Sequence, residues 1–250
     1  MREELENEPA PVSCASCGVV KQKLGNTSCL SGDATSPPRP GHCPTTNHAD
    51  VIGRTVELLA GDGEEARLAR VAAKVEGLCY ERASASGNVR ARWTRVEDTI
   101  AFAKLMGWRK IGIATCIGLL EETAALAAIL EAQGLEPLSV CCKTGSVDKA
   151  SLGIPEEDKI KPGGFEAACN PVAQAEICNL LGTDMNVVVG LCVGHDMLFG
   201  RHSKAPVTTL VVKDRVTGHN PAAVLYGGHY YRRLRKDPVL AEDGSSERPG

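Results

Sequence analysis

Eleven cysteines are spread over the 250 residues of this chain, and their spacing is its first chemical feature. Cys14-Ala-Ser-Cys17 puts two thiols on one tight turn, the usual half of a tetrahedral sulfur site. Cys29 and Cys43 can complete it, giving C-x2-C-x11-C-x13-C. A zinc ribbon would carry a second C-x2-C, and this spacing has none. Cys43 is followed by Pro44, as the last ligand is in some iron–sulfur runs. The expected occupant is therefore an iron–sulfur cluster of the 4Fe–4S type. Zinc is the alternative at this site, with His42 and His48 beside Cys43 as substitute ligands. Four unligated thiols in one loop would be an oxidation liability.

A second set of cysteines falls where buried strands should end: Cys116, the Cys141–Cys142 pair, and Cys192. Cys169 precedes Asn170-Pro171, a helix cap and start, and a helix N-terminus favours thiolate. In an open parallel sheet the crevice beyond the carboxyl ends of the strands is where ligands bind. With strand order 2-1-3-4, Cys116, Cys142, Cys169 and Cys192 converge on one mouth and form a second four-thiolate metal site. Strand alternation sends Cys141 and Cys142 to opposite faces, and Cys142 lies nearer the mouth. Lys143 follows Cys142 and His195 follows Cys192 closely, so these two are the expected catalytic groups. Cys79 and Cys178 lie on apolar helix faces and are expected in the core.

The elements that must position these residues can be read from periodicity. Residues 13–46 are rich in Ser, Gly, Pro, Thr and Cys and cannot build a core alone, so a bound metal must order them. Residues 1–12 and 236–250 read as solvated tails, and 47–107 as a helical connection. Within it Leu68, Val71, Ala72, Val75 and Cys79 share one helix face, and Thr94-Arg95-Val96-Glu97 is a capping box. From 108 to 235 short apolar runs alternate with helices: strands at 110–115, 137–142, 186–192 and 207–213, helices at 119–133 and 171–181, and a short one near 197–200. That pattern predicts an α/β fold with a Rossmann-like parallel sheet and a small cysteine-rich segment at its N-terminal side. The long stretch 143–168, with six Gly and Pro residues, reads as a lid or a surface excursion.

Several stretches carry a family resemblance: CIGLLEE (116–122), CCKTG (141–145), ACNPVAQAE (168–176), GLCVGHDMLF (190–199) and PVTTLVVKDRVTGHNPAAVLY (206–226). They resemble a prokaryotic family described as cysteine-rich, metal-binding proteins of unknown function. The resemblance spans most of residues 13–230. It implies metal binding and names no reaction.

Composition removes other classes. A net charge of −3 gives no broad footprint for nucleic acid, and no apolar run approaches the roughly 18–20 residues that cross a bilayer. The acidic start MREELENEPAP is not a secretory signal, so the expected location is the cytoplasm, where clustered cysteines more often bind metal than form disulfides. The leading expectation is an iron–sulfur redox protein, serving an electron-transfer partner or reducing a small molecule at the strand ends. One alternative is a non-catalytic zinc module. Another is a cysteine hydrolase or acyltransferase, with Cys192 in Gly190-x-Cys192-x-Gly194 as nucleophile, Asp214 as acid and His219 or His229 as base.

Overall fold

A computed structural model describes residues 12–17, 41–82, 89–236 and 239–240. The chain divides into two units, residues 1–74 and 75–250. In the first, α1 (Pro44–Asn47) and α2 (Ala49–Ala60) follow the cysteine-bearing segment, and α3 (Glu64–Leu78) runs across the boundary. The segment 47–107, expected to be a helical connection throughout, is divided by that boundary. Its second half holds a short antiparallel pair, β1 (Tyr80–Arg82) with β2 (Val89–Ala91), and then α4 (Arg95–Met106). The capping box opens α4 as its sequence predicts: Thr94 N–H donates to Glu97 Oε2 at 2.7 Å, and Thr94 Oγ1 accepts from Glu97 N–H. Ile100 and Ala103 of this helix are buried in the core of the sheet, so it belongs with the α/β unit.

The sheet contains β3 (Lys110–Thr115), β4 (Glu136–Cys141), β5 (Met185–Val189) and β6 (Val207–Val211), all parallel, in the order β4-β3-β5-β6. This is the α/β, Rossmann-like arrangement expected from the sequence, and the strand order is the one on which convergence of the strand-end cysteines is conditional. Between the strands run α5 (Leu120–Ala132, after a 3-10 turn at Ile117–Leu119), α6 (Pro171–Leu181) and α7 (His195–His202). Two short helices follow, α8 (Ala222–Tyr226) and α9 (Gly228–Leu234). Asp184 ties the sheet's lower edge, its carboxylate accepting the amides of Arg109 and Lys110, each at 2.8 Å. No helix among the described residues is long and apolar enough to cross a membrane.

Strand pleating splits the core into two layers. Ile111 and Ile113 of β3, with Met185, Val187 and Val189 of β5, pack against α4 and α5. The alternate residues Ala114, Val140 and Val188 face Ala175 and Cys178 of α6 and Phe199 of α7. Cys178 is fully buried in this second layer, and burial pushes its thiol up to about 11, as expected of an inert core cysteine. Gly112 sits on the same face because nothing larger fits: a Cβ there would lie 2.0 Å from Asn186 Oδ1. That oxygen accepts from the Thr183 hydroxyl at 2.8 Å, and Asn186 Nδ2 donates to Ser203 Oγ, so the buried amide is satisfied on both sides.

The predicted third strand was 186–192, but β5 stops at Val189. Gly190 turns the chain at φ 70, and its amide donates to Val211 O at 2.7 Å. A Cβ at Gly190 would meet Leu119 Cδ1 at 2.0 Å, so both backbone and space require glycine here. Gly190→Ala should lower stability by about 1–3 kcal/mol from the left-handed backbone alone, with Leu119 displacement in addition. Chemical denaturation measures this, and a variant as stable as the parent would contradict the geometry.

Candidate functional site

The parallel register decides which cysteines meet. Thr115 of β3 pairs with Cys141 of β4, and the ladder runs one residue further as Cys142 N–H donates to Thr115 O at 2.8 Å. Cys116 N–H in turn donates to Val189 O of β5. Cys116 and Cys142 thus end adjacent strands on the same pleat face, in the layer beneath α6. Both are buried, with Cys142 only 1% exposed. Cys141 points the other way in the pleat and is half-buried at the rim of the same cluster. Beneath them Gln174 of α6, fully buried, donates through Nε2 to Thr115 O and Val140 O, joining the ends of β3 and β4.

Cys169 reaches this edge through the long excursion that leaves at Lys143. That segment is ordered by its own polar contacts. Asp148 bridges to Ala167 as an isolated antiparallel pair, and Ala168 N–H donates to Val147 O at 2.7 Å. Lys149 pairs with Glu166 at 2.6 Å, both mostly buried. Lys159, 2% exposed, is held by Glu156, Asp148 and Gly164 O. On return, Asn170 N–H donates to Cys142 O at 2.8 Å, and Asn170 Oδ1 caps α6 at Ala173 N–H. The excursion therefore begins and ends on Cys142, and what it returns there is Cys169.

At the junction the Cys142 thiol hydrogen-bonds to the Cys169 sulfur. That bond holds Cys169 well below the ordinary thiol value. Burial opposes this, and Lys143 and His195 reinforce it. The same bond, followed by burial, pushes Cys142 up; Ile117 N–H, donating to its Sγ at 3.4 Å, opposes the rise, and the nearby Cys169 and Cys116 add to it. The two thiols therefore titrate as one pair that resists losing its second proton, and its surroundings lower Cys169 while raising Cys142. Lys143 also donates to Ala167 O, which fixes its stem across the loop closure. His195 opens α7, its amide bonded to Cys192 O at 2.9 Å.

Cys192 stands half-exposed at the rim. Its side-chain partner is Arg215, whose Nη2 donates to Sγ at 3.3 Å and whose charge also bears on Cys116 and Cys169. Arg215 and Lys213 are the site residues that the sequence reading passed over. They follow β6 as the cysteines follow β3, β4 and β5, so the same strand-end rule, applied to the fourth strand, would have found them. Asp214 and His219, the acid and base of the hydrolase alternative, instead bond within their own turn. Asp214 Oδ1 accepts from Val216 and Thr217 amides, and His219 Nδ1 accepts from Asp214 N–H. A nucleophile elbow also holds its nucleophile at a strained turn, whereas here the positive φ angles fall on Gly190 and Gly194. His229 lies against Tyr230 in α9.

In the first unit, Cys17 N–H closes the Cys14–Cys17 turn on Cys14 O at 3.1 Å, and Ser13 N–H donates to His42 O, which brings the turn beside Cys43. Cys17 and Cys43 are buried and Cys14 is exposed. Burial opposes the Cys43 thiolate, but Thr45 and Thr46 outweigh it and lower the thiol. His42 Nε2 lies 3.4 Å from Ser16 Oγ. The fourth expected ligand, Cys29, falls outside the described residues. Among those described, no three His, Cys, Asp or Glu side chains form a group that could hold a single metal ion. Cys79, expected in a helix core, is half-buried, and its thiol donates to Glu76 O at 3.0 Å.

Comparison with known proteins adds a family but no chemistry. The model of a family described as "Protein of unknown function (DUF1847)" matches residues 43–210. That range includes Cys43 and all four strand-edge cysteines but begins after Cys14, Cys17 and Cys29, so it is shorter at the N-terminal side than the resemblance read from the sequence. An uncharacterized protein, MJ0455, from Methanocaldococcus jannaschii is 46% identical over 171 residues, which is 68% of this chain and 81% of that protein.

Two outcomes follow from the electrostatics. In metal-free protein, iodoacetamide in mildly acidic buffer should modify Cys169 first and leave Cys178 untouched, and Lys143→Met should slow the Cys169 reaction. Peptide mass mapping reads this, and equal rates at Cys169 and Cys178 would contradict it. The second concerns the excursion. Lys159 lowers Glu156, the amide of Ala150 lowers Asp148 and Lys149 lowers Glu166, each below the ordinary carboxylate range. A depressed carboxylate stabilises fully above its unfolded pKa and ceases to do so as pH falls through its folded pKa. Hydrogen exchange should therefore show residues 148–166 loosening in acid before the sheet does. Loss of protection at one common pH would contradict this.

Proposed function

The chain belongs to the family of proteins of unknown function DUF1847, and from that premise we propose that it binds an iron–sulfur cluster at the carboxyl edge of its sheet and does redox work there. The observation that carries the reading is the crowding of Cys116, Cys142 and Cys169 at one buried edge, where Cys142 and Cys169 titrate as one pair. Thiols that obstruct one another's ionisation are relieved when a cation replaces their protons, which is how thiolate metal sites couple to pKa. Cysteines 116, 142, 169 and 192 would be the ligands. In a 4Fe–4S cluster each of the four thiolates binds a different iron, so they surround a body of several atoms rather than meet on one. The donors already aimed at sulfur also suit a negatively charged cluster: Ile117 N–H on Cys142 and Arg215 on Cys192. The cluster would supply the capacity to take and give one electron. Around it, Lys143 would hold positive charge beside Cys169, with the His195 ring close by, and the buried layer of Val140, Val188 and Leu191 would exclude water.

The Cys14, Cys17, Cys29 and Cys43 segment would hold a second metal, an iron–sulfur cluster or zinc, and relay electrons to a partner protein or from the edge site. A second reading rests on the Cys142–Cys169 pair alone. A thiolate with a neighbouring thiol is the arrangement thiol–disulfide exchange uses, and it would need no metal.

Anaerobically purified full-length protein should be brown and contain iron and acid-labile sulfide. Cys116→Ser and Cys142→Ser should each lose the edge cluster. Cys14→Ser should lose only the N-terminal metal and leave the sheet folded, since the sheet has its own hydrophobic core. Colourless protein with zinc alone, or metal-free protein with a reducible Cys142–Cys169 disulfide, would overturn the cluster reading.

A further inference from the structure

Lys213 has a position that the thiolate site does not explain. It follows β6, and its side chain runs back across the neighbouring strand end. Its Cε lies 3.5 Å from where a Cβ on Gly190 would be, and its Nζ lies 3.8 Å from the corresponding point on Gly118. Gly190 leaves β5 and Gly118 lies just beyond β3. These two strands are the pair at which the order β4-β3-β5-β6 reverses direction from its start, which is where the open crevice of such a sheet lies. The Lys213 ammonium is thus carried over the crevice, half-buried, and among the described residues it makes no hydrogen bond or ion pair.

The adjacent acid does not use it. Asp214 Oδ1 accepts the amides of Val216 and Thr217. The backbone at the crevice is short of a partner as well. Among the described residues the N–H of Leu191, a residue only 3% exposed, finds no acceptor. Buried amides in native proteins are almost always paired, so this one is open to a ligand. Arg215 stands beside it through its bond to Cys192, with further N–H donors on its guanidinium. The turn that presents both cations is held in advance: His219 sits at φ 67, with its amide on Asp214 O and its ring on Asp214 N–H. A preorganised pair of cations beside an unpaired buried amide lowers the entropy cost of taking a ligand.

We propose that the crevice between the ends of β3 and β5 binds a small oxyanion, a phosphate, sulfur oxyanion or carboxylate group, anchored by Lys213 and Arg215 and by the amide of Leu191. Its role as substrate of the redox edge rests on the reading above; the binding itself does not. The ligand is too small to need a large cavity, and its charge is matched by Lys213, which no other part of the described protein engages, and by the N–H donors of Arg215 left over from its bond to Cys192.

The test titrates inorganic phosphate, sulfate and oxalate into full-length protein by calorimetry, with iron and sulfide assayed in the same samples. At least one anion should bind saturably at one site, and Lys213→Met and Arg215→Met should weaken it more than tenfold. Lys204→Met, a lysine beyond the far end of α7, should leave it unchanged. Should Lys213→Met fail to fold, lysine acetylation of the parent protein gives the same information, because the bound anion should protect Lys213 and not Lys204. Absence of saturable binding, undiminished binding by folded Lys213→Met, or equal acetylation of Lys213 with and without anion would overturn the proposal. Anion binding by protein free of iron would leave it standing and count against the cluster alone; iron-loaded protein that binds none of the three would overturn this inference alone.

Discussion

The structure depends on the register of three parallel strands. Because β3, β4 and β5 run the same way, their carboxyl ends lie on one edge. Because Thr115 stands opposite Cys141, residues 116 and 142 share a pleat face. Shift that register by one residue and Cys142 would exchange faces with Cys141, which lies half-buried at the rim. The hydrophobic layer that enforces it is the alternation of Ile111, Ile113, Val187 and Val189 with Ala114 and Val188 across the sheet. The apolar core and the thiol cluster are thus two consequences of one pairing.

Around that edge the chain uses polar contacts to bring distant residues back. The excursion from Lys143 to Ala168 has few apolar residues to bury, and buried Lys159 with its carboxylates takes the place of a core. A buried charge is tolerable only when paired, so the contacts that neutralise Lys159 also fix the path of the loop. The path matters because it ends by handing Cys169 to Cys142. On the opposite side, the turn after β6 does the same for cations, with Asp214 and His219 spent on holding their own backbone while Lys213 and Arg215 project. A thiolate-rich edge gathers sulfur from three strand ends and a loop, and positive charge from the fourth strand end and from Lys143.

Much of the α/β unit could be read from the residues in order. Apolar runs of five or six residues, separated by helices with recognisable caps at Thr94 and Asn170, are local signals, and they located β3, β4, α4 and α6 to within a residue or two. The strand-end cysteines were visible too, since a residue's place at the end of an apolar run is local information. The early end of β5 was not, because it depends on Leu119 filling the space above Gly190. The place of α4 was not either: nothing in its own residues says that Ile100 and Ala103 face Ile111 rather than another helix.

The sequence by itself determined the element types, the parallel class of the sheet and the candidacy of the cysteines, because helix caps, strand alternation and strand ends are all set by neighbouring residues. Only the tertiary structure decided which sulfurs touch, that Cys169 is lowered while Cys142 is raised, and that Arg215 rather than a histidine stands at Cys192. Those outcomes depend on burial and on groups 23 or more positions away in the chain, as Arg215 is from Cys192 and Ile117 from Cys142. Electrostatic interactions act through distance in space, and distance in space between remote residues is what folding creates.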